Sequence, residues 1–477
     1  MALNILSVTS ECVPLIKTGG LADVAGALPK AMVPLGHRMR VLMPAYPGLA
    51  ARLEDAREVW KEDALFGGPA RVLAGTVDGV EFLLLDAAHL FDRNGGPYLS
   101  PEGYDWPDNP ERFAALCWAA AQIAQSGLSD GWMPDVLHAH DWQAGLAPAY
   151  LRFVGNKRVK TLMTIHNIAF QGLAPPERLA SLRLPPSAFH ADDLEYYGQI
   201  STLKAGLVHA DAITTVSPTY AAELMRPEFG MGLEGLIAAR AGDLHGILNG
   251  IDLEMWNPET CANPYSAKTL KKKAAASSAL RDRFGLTQTD GPLAIVVSRL
   301  TGQKGLDLLP GLLPDFIAHG GSLAVLGSGD AGLEAAYSGL ANEYPGKIGV
   351  HIGYDEELSH AMFAGGDAVL IPSRFEPCGL TQLYGLRFGT LPVVAATGGL
   401  ADTVIHANDA ALDRGVATGL TFHPTDATAF AHCLRRLCTL FADRQAWTKM
   451  MQNAMQQPVG WDKSSARYAA LYQDLIG

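Results

Sequence analysis

Cations are scarce in this chain. Lys and Arg together number 37 against 49 Asp and Glu, a net charge of −12 at neutral pH. That balance excludes general binding to nucleic acid or to an acidic membrane surface. An anionic ligand has to be attracted by local Lys, Arg and helix ends, against the overall field. Cysteine is sparse too: Cys12, Cys117, Cys261, Cys378, Cys433 and Cys438 are spread over 477 residues without CxxC spacing. At this length they read as free thiols in a reducing compartment. No Asp-x-Asp triplet occurs, so no carboxylate clamp for a metal–diphosphate is evident, and neither a metal nor a cofactor is expected. The longest apolar stretch, around Phe113–Ala124, falls short of the ~20 residues that cross a membrane. Low-complexity segments are missing as well. The first residues, Met-Ala-Leu-Asn-Ile-Leu-Ser-Val, lack a basic region and a cleavage pattern and read as a first strand. A soluble, cytoplasmic protein with no membrane partner is the expectation.

What the chain does have is material for large cores: 48% hydrophobic and 18% charged residues. Its length suggests roughly two to four domains. Short apolar runs alternate with helical patterns throughout. The expected strands of the first half are Asn4–Val8, Arg40–Met43, Phe82–Leu85, Val136–His140, Thr161–Ile165 and Ala212–Val216. Those of the second half are Leu293–Val297, Leu323–Leu326, Val350–Ile352, Ala368–Ile371 and Pro392–Ala395. Such short, β-rich runs, bounded by Gly, Pro or polar residues, are the mark of buried parallel strands. Their alternation with helices predicts an α/β fold of doubly wound sheets. A domain boundary is expected around Asp243–Asp252, and Trp461–Ile476 has helical spacing.

The most informative segment is Ser373–Gln382, Ser-Arg-Phe-Glu-Pro-Cys-Gly-Leu-Thr-Gln, between a buried strand and a helix. In an open parallel sheet that turn lies in the ligand crevice. Unpaired NH groups at the helix start, near Gly379, Leu380 and Thr381, can cradle an anion. Glu376 supplies a carboxylate, and Cys378 reads as a packing thiol more readily than as a nucleophile. Arg299 and Lys304 flank a glycine turn after the strand Leu293–Val297. Two cations at a helix start, where acids are the norm, call for a diphosphate; the plainer reading is a solvated basic pair.

One acid and several histidines lie at or near strand ends in the first half. In His138-Ala-His140-Asp141, both rings share a strand face, as some metal sites require, but a buried, hydrogen-bonded histidine is the simpler account. Asp141 points more plausibly into the crevice, and His166 ends a strand on the same sheet edge. The hexapeptide Thr-Gly-Gly-Leu-Ala-Asp occurs twice, at Thr18–Asp23 and Thr397–Asp402, which suggests two similar halves. Gly327-Ser-Gly-Asp-Ala-Gly332 fits GxGxxG, a dinucleotide signal that is weak alone and follows the second strand of its half. Lys271–Lys273 reads as a solvated helix face.

Together these motifs resemble bacterial glycogen synthases and plant starch synthases that use ADP-glucose. The likeness spans essentially the whole chain, through Lys17–Asp23, His138–Trp142, Thr164–Asn167, Leu248–Asp252, Ser298–Asp307, Ser373–Gln382 and Thr397–Asp402. The resemblance implies two Rossmann-like domains facing across a deep cleft (GT-B), with a C-terminal helix crossing back. The expected division is 1–244, 245–456 and 457–477. It also implies transfer of glucose from ADP-glucose to the non-reducing end of an α-1,4-glucan such as glycogen, with retention and release of ADP. By matched position, Arg299 and Lys304 hold the diphosphate and Tyr354 stacks on adenine. Lys17 and Gly20 approach the donor from the first domain. Asp141, His166, Asn249, Glu376 and Cys378 line the glucose pocket, and Tyr98 lies near the cleft. The plant members carry transit peptides, so the bacterial type fits better. Rival readings are an NAD(P)-dependent oxidoreductase on two Rossmann-like halves and a non-catalytic glucan-binding protein.

Overall fold

The computed structural model describes residues 2–477, which divide into two compact units. The first holds the chain up to Asn249 together with Trp461–Gly477; the second is Gly250–Gly460. In chain order the first unit carries β1 (Asn4–Val8), β2 (Arg38–Pro44), β3 (Glu54–Leu65), β4 (Gly68–Val77), β5 (Val80–Asp86), β6 (Val136–His140) and β7 (Lys160–Ile165). Then come β8 (Leu173–Ala174), β9 (Glu195–Tyr196), β10 (Gln199–Ser201), β11 (Ala212–Thr215) and β12 (Leu244–Gly246). The short β8, β9 and β10 form a small antiparallel sheet of their own. The others form one sheet in the order β12-β11-β7-β6-β1-β2-β5-β4-β3, parallel from β12 to β5 and antiparallel at the β5-β4-β3 end.

The second unit is built on β13 (Leu293–Val297), β14 (Ser322–Gly327), β15 (Ile348–Ile352), β16 (Ala368–Ile371), β17 (Leu391–Ala395) and β18 (Leu420–Phe422). All run parallel in the order β15-β14-β13-β16-β17-β18. This is the doubly wound Rossmann order, in which winding reverses between the first strand and the fourth. The crevice at the carboxyl ends therefore opens between β13 and β16. In the first unit the same reversal falls between β1 and β6. Both sheets are Val-, Ile- and Leu-rich because helices cover both faces: Ile5, Leu6, Ile295, Val296, Val369 and Val393 are all fully buried. Each such side chain contributes about 1.5–3 kcal/mol relative to exposure.

The expected strands all reappear: four keep their limits, six are one to three residues longer, and Ala212–Thr215 ends a residue earlier. The hairpin β3–β4 was not anticipated. Its first strand reads Glu-Asp-Ala-Arg-Glu-Val-Trp-Lys-Glu-Asp-Ala-Leu and is largely exposed, so charge on a sheet edge hid its β character. The domain limits shift by a few residues from 244/245 and 456/457. Strand β12 pairs with β11 and draws the first unit on to Asn249. At the other end, the Ile251 amide donates to the Val459 carbonyl, 2.9 Å, and keeps the chain in the second unit through Gly460.

The last helix, Asp462–Ile476, is amphipathic. It buries Tyr468, Leu471 and Tyr472 in a cluster with Leu3, Ile5, Val24, Leu28 and Val136 of the first unit. No helix among the described residues is long and apolar enough to cross a membrane.

Lys273 corrects one expectation. It does not lie on a solvated helix face; it is 4% exposed. Its ammonium donates to the carbonyls of Ala364 (2.8 Å), Phe363 (3.1 Å) and Phe388 (3.2 Å), and also contacts Thr390 Oγ1 and Tyr265 Oη. The pocket is made of acceptors, so a cation with three donors fills it. Lys273→Met should remove the ammonium's bonds, leaving the Tyr265 and Thr390 hydroxyls to serve the three carbonyls, and destabilise the second unit by roughly 3 kcal/mol. Urea unfolding measures this, and an unchanged midpoint would show the pocket to be energetically neutral.

Candidate active site

The reversal point of the second sheet brings together the residues singled out after β13 and β16. The Lys304 ammonium meets Glu376 Oε2 at 2.6 Å, and Ser373 Oγ donates to the same oxygen at 2.9 Å. Lys304 and Glu376 keep 19% and 10% side-chain exposure, so this is a mostly buried pair. Beside it, Arg374 forms a two-pronged contact with Asp307, 2.6 and 2.7 Å, and donates to the Gly302 carbonyl, 2.5 Å. These contacts tie the loop after β13 to the loop after β16. Arg299 is exposed and forms no ion pair among the described residues. Helix Thr381–Phe388 starts here without a side-chain cap at Leu380, which leaves first-turn amides for an anion. A small cavity lined by Ser298, Lys304, Ser373, Glu376 and Thr381 lies at this point. Tyr354 stands 79% exposed, after β15 at the same end of the sheet.

Glycine shapes this corner by allowing backbone to touch backbone. A Cβ on Gly398, whose φ is +44°, would lie 1.9 Å from the Glu376 carbonyl oxygen; one on Gly399 would lie 2.1 Å from that of Cys378. The Gly399 amide donates to the carbonyls of Glu376 (3.2 Å) and Pro377 (3.1 Å). The second Thr-Gly-Gly therefore clamps the Glu376–Cys378 segment from behind. Gln382, fully buried, adds bonds from Nε2 to the Cys378 and Gly379 carbonyls, each 2.9 Å. Cys378 is itself buried. The GxGxxG turn has a similar packing purpose. Cβ atoms on Gly327 and Gly329 would strike the carbonyls of Ser298 and Leu300 at 1.9 and 2.4 Å. Its glycines admit the neighbouring loop of the protein, which removes the main support for a dinucleotide site.

The first unit gathers its candidates at the carboxyl ends of β1, β6, β7 and β12. Asp141 follows β6 with a φ of +53°, unusual outside glycine. Its Oδ1 accepts the amides of His166 (2.7 Å) and Asn167 (3.3 Å). His166 Nε2 bonds to His140 Nδ1 at 3.0 Å, and His140 Nε2 to Ser7 Oγ at 3.1 Å. His138 sits between Tyr472 Oη (2.8 Å) and Thr164 Oγ1 (2.6 Å), with its ring 4.0 Å from that of His140. Both strand histidines are thus buried and hydrogen-bonded. Among the described residues no cluster of three or more His, Cys, Asp or Glu could hold a metal ion.

Lys17 pairs with Asp23 at 2.8 Å, and Gly20 opens helix Gly20–Met32. Tyr98 Oη bonds to Ser10 Oγ at 2.7 Å. Asn249 Oδ1 is buried without a hydrogen-bond partner, so it retains an acceptor for a ligand.

Glu11 escaped the sequence reading. Its carboxylate, 3% exposed, accepts the Thr18 amide, the Thr18 hydroxyl (2.7 Å) and the Gly19 amide (3.3 Å). It fixes the first Thr-Gly-Gly turn next to Lys17. The available signal was an acid just past the first strand, at the crevice end of the sheet.

Burial sets the protonation of this unit. Loss of solvent pulls His138 and His166 down to about 3 and His140 well below its ordinary value, so all three imidazoles are neutral. It pushes Asp141 up to about 7, against the pull of the two amides. Glu11 rises for the same reason, partly offset by its bonds to Thr18 and Gly19.

Two doubly wound units with a cationic, amide-lined corner at a reversal point define a glycosyltransferase of the GT-B class. Residues 4–239 match the family described as "Starch synthase catalytic domain", and 280–454 match "Glycosyl transferases group 1". A glycogen synthase of Cereibacter sphaeroides is 64% identical over 473 residues, covering 99% of this chain and 98% of the relative. One from Paracoccus denitrificans is 61% identical, covering 98% and 99%. Among solved structures, the catalytic domain of starch synthase IV from Arabidopsis thaliana, bound to ADP and acarbose, matches with a TM-score of 0.88. The two are 30% identical, and each chain is covered completely. A sucrose-phosphate synthase from Thermosynechococcus elongatus shares the fold, at a TM-score of 0.62 and 19% identity. The chain belongs to the glycogen synthase family of retaining glucosyltransferases.

Asp141 yields a prediction with a definite sign. Between the unfolded carboxyl value of ~3.9 and the folded value of about 7, the folded state holds a proton that the unfolded state has released. Its contribution to stability therefore falls as pH rises across that window. Asn keeps an acceptor for both amides, tolerates positive φ and does not titrate. Asp141→Asn should exceed the wild type in stability by on the order of 3 kcal/mol at pH 8, with the gap closing towards pH 4. Urea melts at several pH values test this. A variant less stable than wild type at pH 8 would mean that the buried carboxylate is solvated or paired.

Proposed function

We propose that the chain transfers glucose from ADP-glucose to the non-reducing end of an α-1,4-glucan such as glycogen, retaining configuration and releasing ADP. The observation that carries this reading is the convergence of Arg299, Lys304 and the uncapped amides at Gly379–Thr381 on the reversal point of the second sheet. Departure of ADP builds negative charge on the diphosphate, and preorganised donors there stabilise it. In this reading Arg299 and Lys304 hold the diphosphate and Tyr354 stacks on adenine. Lys17 and Gly20 belong to the donor-binding set. Asp141, His166, Asn249, Tyr98, Glu376 and Cys378 serve the transferred glucose and its acceptor. The reading involves neither a metal nor a cofactor. A cytoplasmic setting fits the buried free thiols.

Retention is supported best by a same-face displacement. Both candidate carboxylates are engaged, Glu376 with Lys304 and Ser373, Asp141 with two amides. Neither stands free as a β-face nucleophile. The bond from the anomeric carbon to the diphosphate oxygen breaks, and its electron pair leaves with ADP. The acceptor O4 bonds to the anomeric carbon on the same face, and its proton passes to the departing phosphate oxygen. Electrons and protons balance without an enzyme-bound intermediate.

The deciding assay is release of ADP from ADP-glucose with and without added glycogen; glycogen-dependent release is expected. Lys304→Ala and Arg299→Ala should each lower turnover by at least ~100-fold. Their effects on stability should differ. Removing Lys304 leaves Glu376 buried and unpaired, at a cost of roughly 3–5 kcal/mol, whereas removing exposed Arg299 leaves the melting point nearly unchanged. Near-wild-type turnover in both variants would put the diphosphate elsewhere. Cys378→Ser should keep substantial activity; complete loss in a folded variant would point to a chemical role for the thiol.

A further inference from the structure

We infer that Ser7 sets the tautomer of His166, through His140, so that His166 presents an N–H donor at Nδ1. The inference rests on the transferase reading only for its catalytic consequence. The chain of bonds crosses three neighbouring strands: Ser7 on β1, His140 at the end of β6 and His166 just after β7. Ser7 Oγ lies 3.1 Å from His140 Nε2, and His140 Nδ1 lies 3.0 Å from His166 Nε2. A neutral imidazole has one N–H and one lone pair, so the two bonds can be ordered in only two ways.

In one order Ser7 donates to His140 Nε2, His140 Nδ1–H donates to His166 Nε2, and the proton of His166 is left on Nδ1. In the other, every bond is reversed, Ser7 accepts, and its own hydrogen needs a second acceptor. None is present among the described residues: His140 Nε2 is the one hydrogen-bond partner of Ser7 Oγ, and Ser7 is 1% exposed. A buried hydroxyl hydrogen left unpaired disfavours the reversed order by roughly tenfold or more. The first order satisfies the Ser7 hydroxyl, both ring nitrogens of His140 and Nε2 of His166, and leaves only the His166 Nδ1–H without a protein partner.

The surroundings hold this arrangement. The His138 ring packs at a tilt against His140, centroids 4.0 Å apart, and is itself fixed by Tyr472 and Thr164, so His140 cannot swing away. Burial keeps all three rings neutral, which the alternation requires. His166 Nδ1 has no protein partner among the described residues, and the residue is half-buried, so that N–H is available to a ligand. A donor there fits an acceptor oxygen of a sugar. Ser7, which does not reach the ligand, is a positioning residue.

Long-range nitrogen–proton correlation spectra of the full-length protein, labelled with 15N-histidine and recorded without substrate, test this directly. His166 is assigned from the signals lost in His166→Ala. The expected result is a neutral His166 protonated at Nδ1. Ser7→Ala should move the population towards Nε2–H and lower kcat roughly tenfold, with little change in KM for ADP-glucose. Ser7→Thr, which keeps the hydroxyl, should restore both the tautomer and the rate. A wild-type His166 protonated at Nε2, or an unchanged tautomer in Ser7→Ala, overturns the inference; if Ser7→Ala fails to fold, the wild-type spectrum alone decides. Loss of ADP release in a wild type that shows Nδ1–H would refute the transferase reading and leave the tautomer assignment standing.

Discussion

A buried ammonium beside a buried carboxylate, Lys304 and Glu376 at 2.6 Å, joins the two loops that border the crevice of the second sheet. Removing two charges from water costs several kcal/mol per ion, and attraction offsets it only when the geometry is close and the remaining donors are satisfied. Here the Ser373 hydroxyl completes the carboxylate, and the Arg374–Asp307 fork braces the same two loops. A hydrophobic pair would hold those loops as well. What the ionic pair adds is a cation kept in place without a ligand. The chain carries a net charge of −12. Lys304 is matched by Glu376, Arg374 by Asp307 and Lys17 by Asp23. Arg299 alone of these cations has no matching acid, so under the proposed function it is the one to supply long-range attraction for a diphosphate, while Lys304 acts at contact, where its direction is already fixed.

The reversal of winding explains why chemistry collects where it does in both sheets. Loops after the first and fourth strands of a doubly wound order diverge to opposite faces and leave a crevice between them. In the second unit these loops carry Arg299–Lys304 and Ser373–Cys378. In the first they carry Glu11–Gly20 and Asp141. The two Thr-Gly-Gly-Leu-Ala-Asp copies do not obey this equivalence. The first follows β1 after a long loop and binds a carboxylate, Glu11; the second follows β17 directly and packs against the Glu376–Cys378 backbone. Different strands and different contacts argue against inheritance of the hexapeptide from a duplicated half. A tight turn that presents amides is a solution reached twice.

The buried parallel strands were legible because both faces are covered and apolar residues run without interruption, as in Leu293–Val297. What sequence reading missed lay where a residue's neighbours are distant in the chain. The edge strand Glu54–Leu65 looks like charged surface because it is charged surface. Lys273 looks like its exposed neighbours Lys271 and Lys272, and only carbonyls some 90 to 115 residues away make it a core residue. Arg299, Lys304 and Glu376 were visible because each sits in a short turn after a recognisable strand. Glu11 and Ser7 were not, because their roles depend on hydrogen-bond direction and on the register between strands.

The two units manage charge in opposite ways. At the crevice of the second, Lys304 and Arg374 are held in ion pairs and Arg299 is left without one. In the first, burial suppresses ionisation: three imidazoles are neutral at any physiological pH, and Asp141 gains a proton near pH 7. Desolvation therefore acts on the first unit twice: it costs stability at Asp141, and it leaves the imidazoles of His138, His140 and His166 neutral, so their hydrogen bonds run without charge.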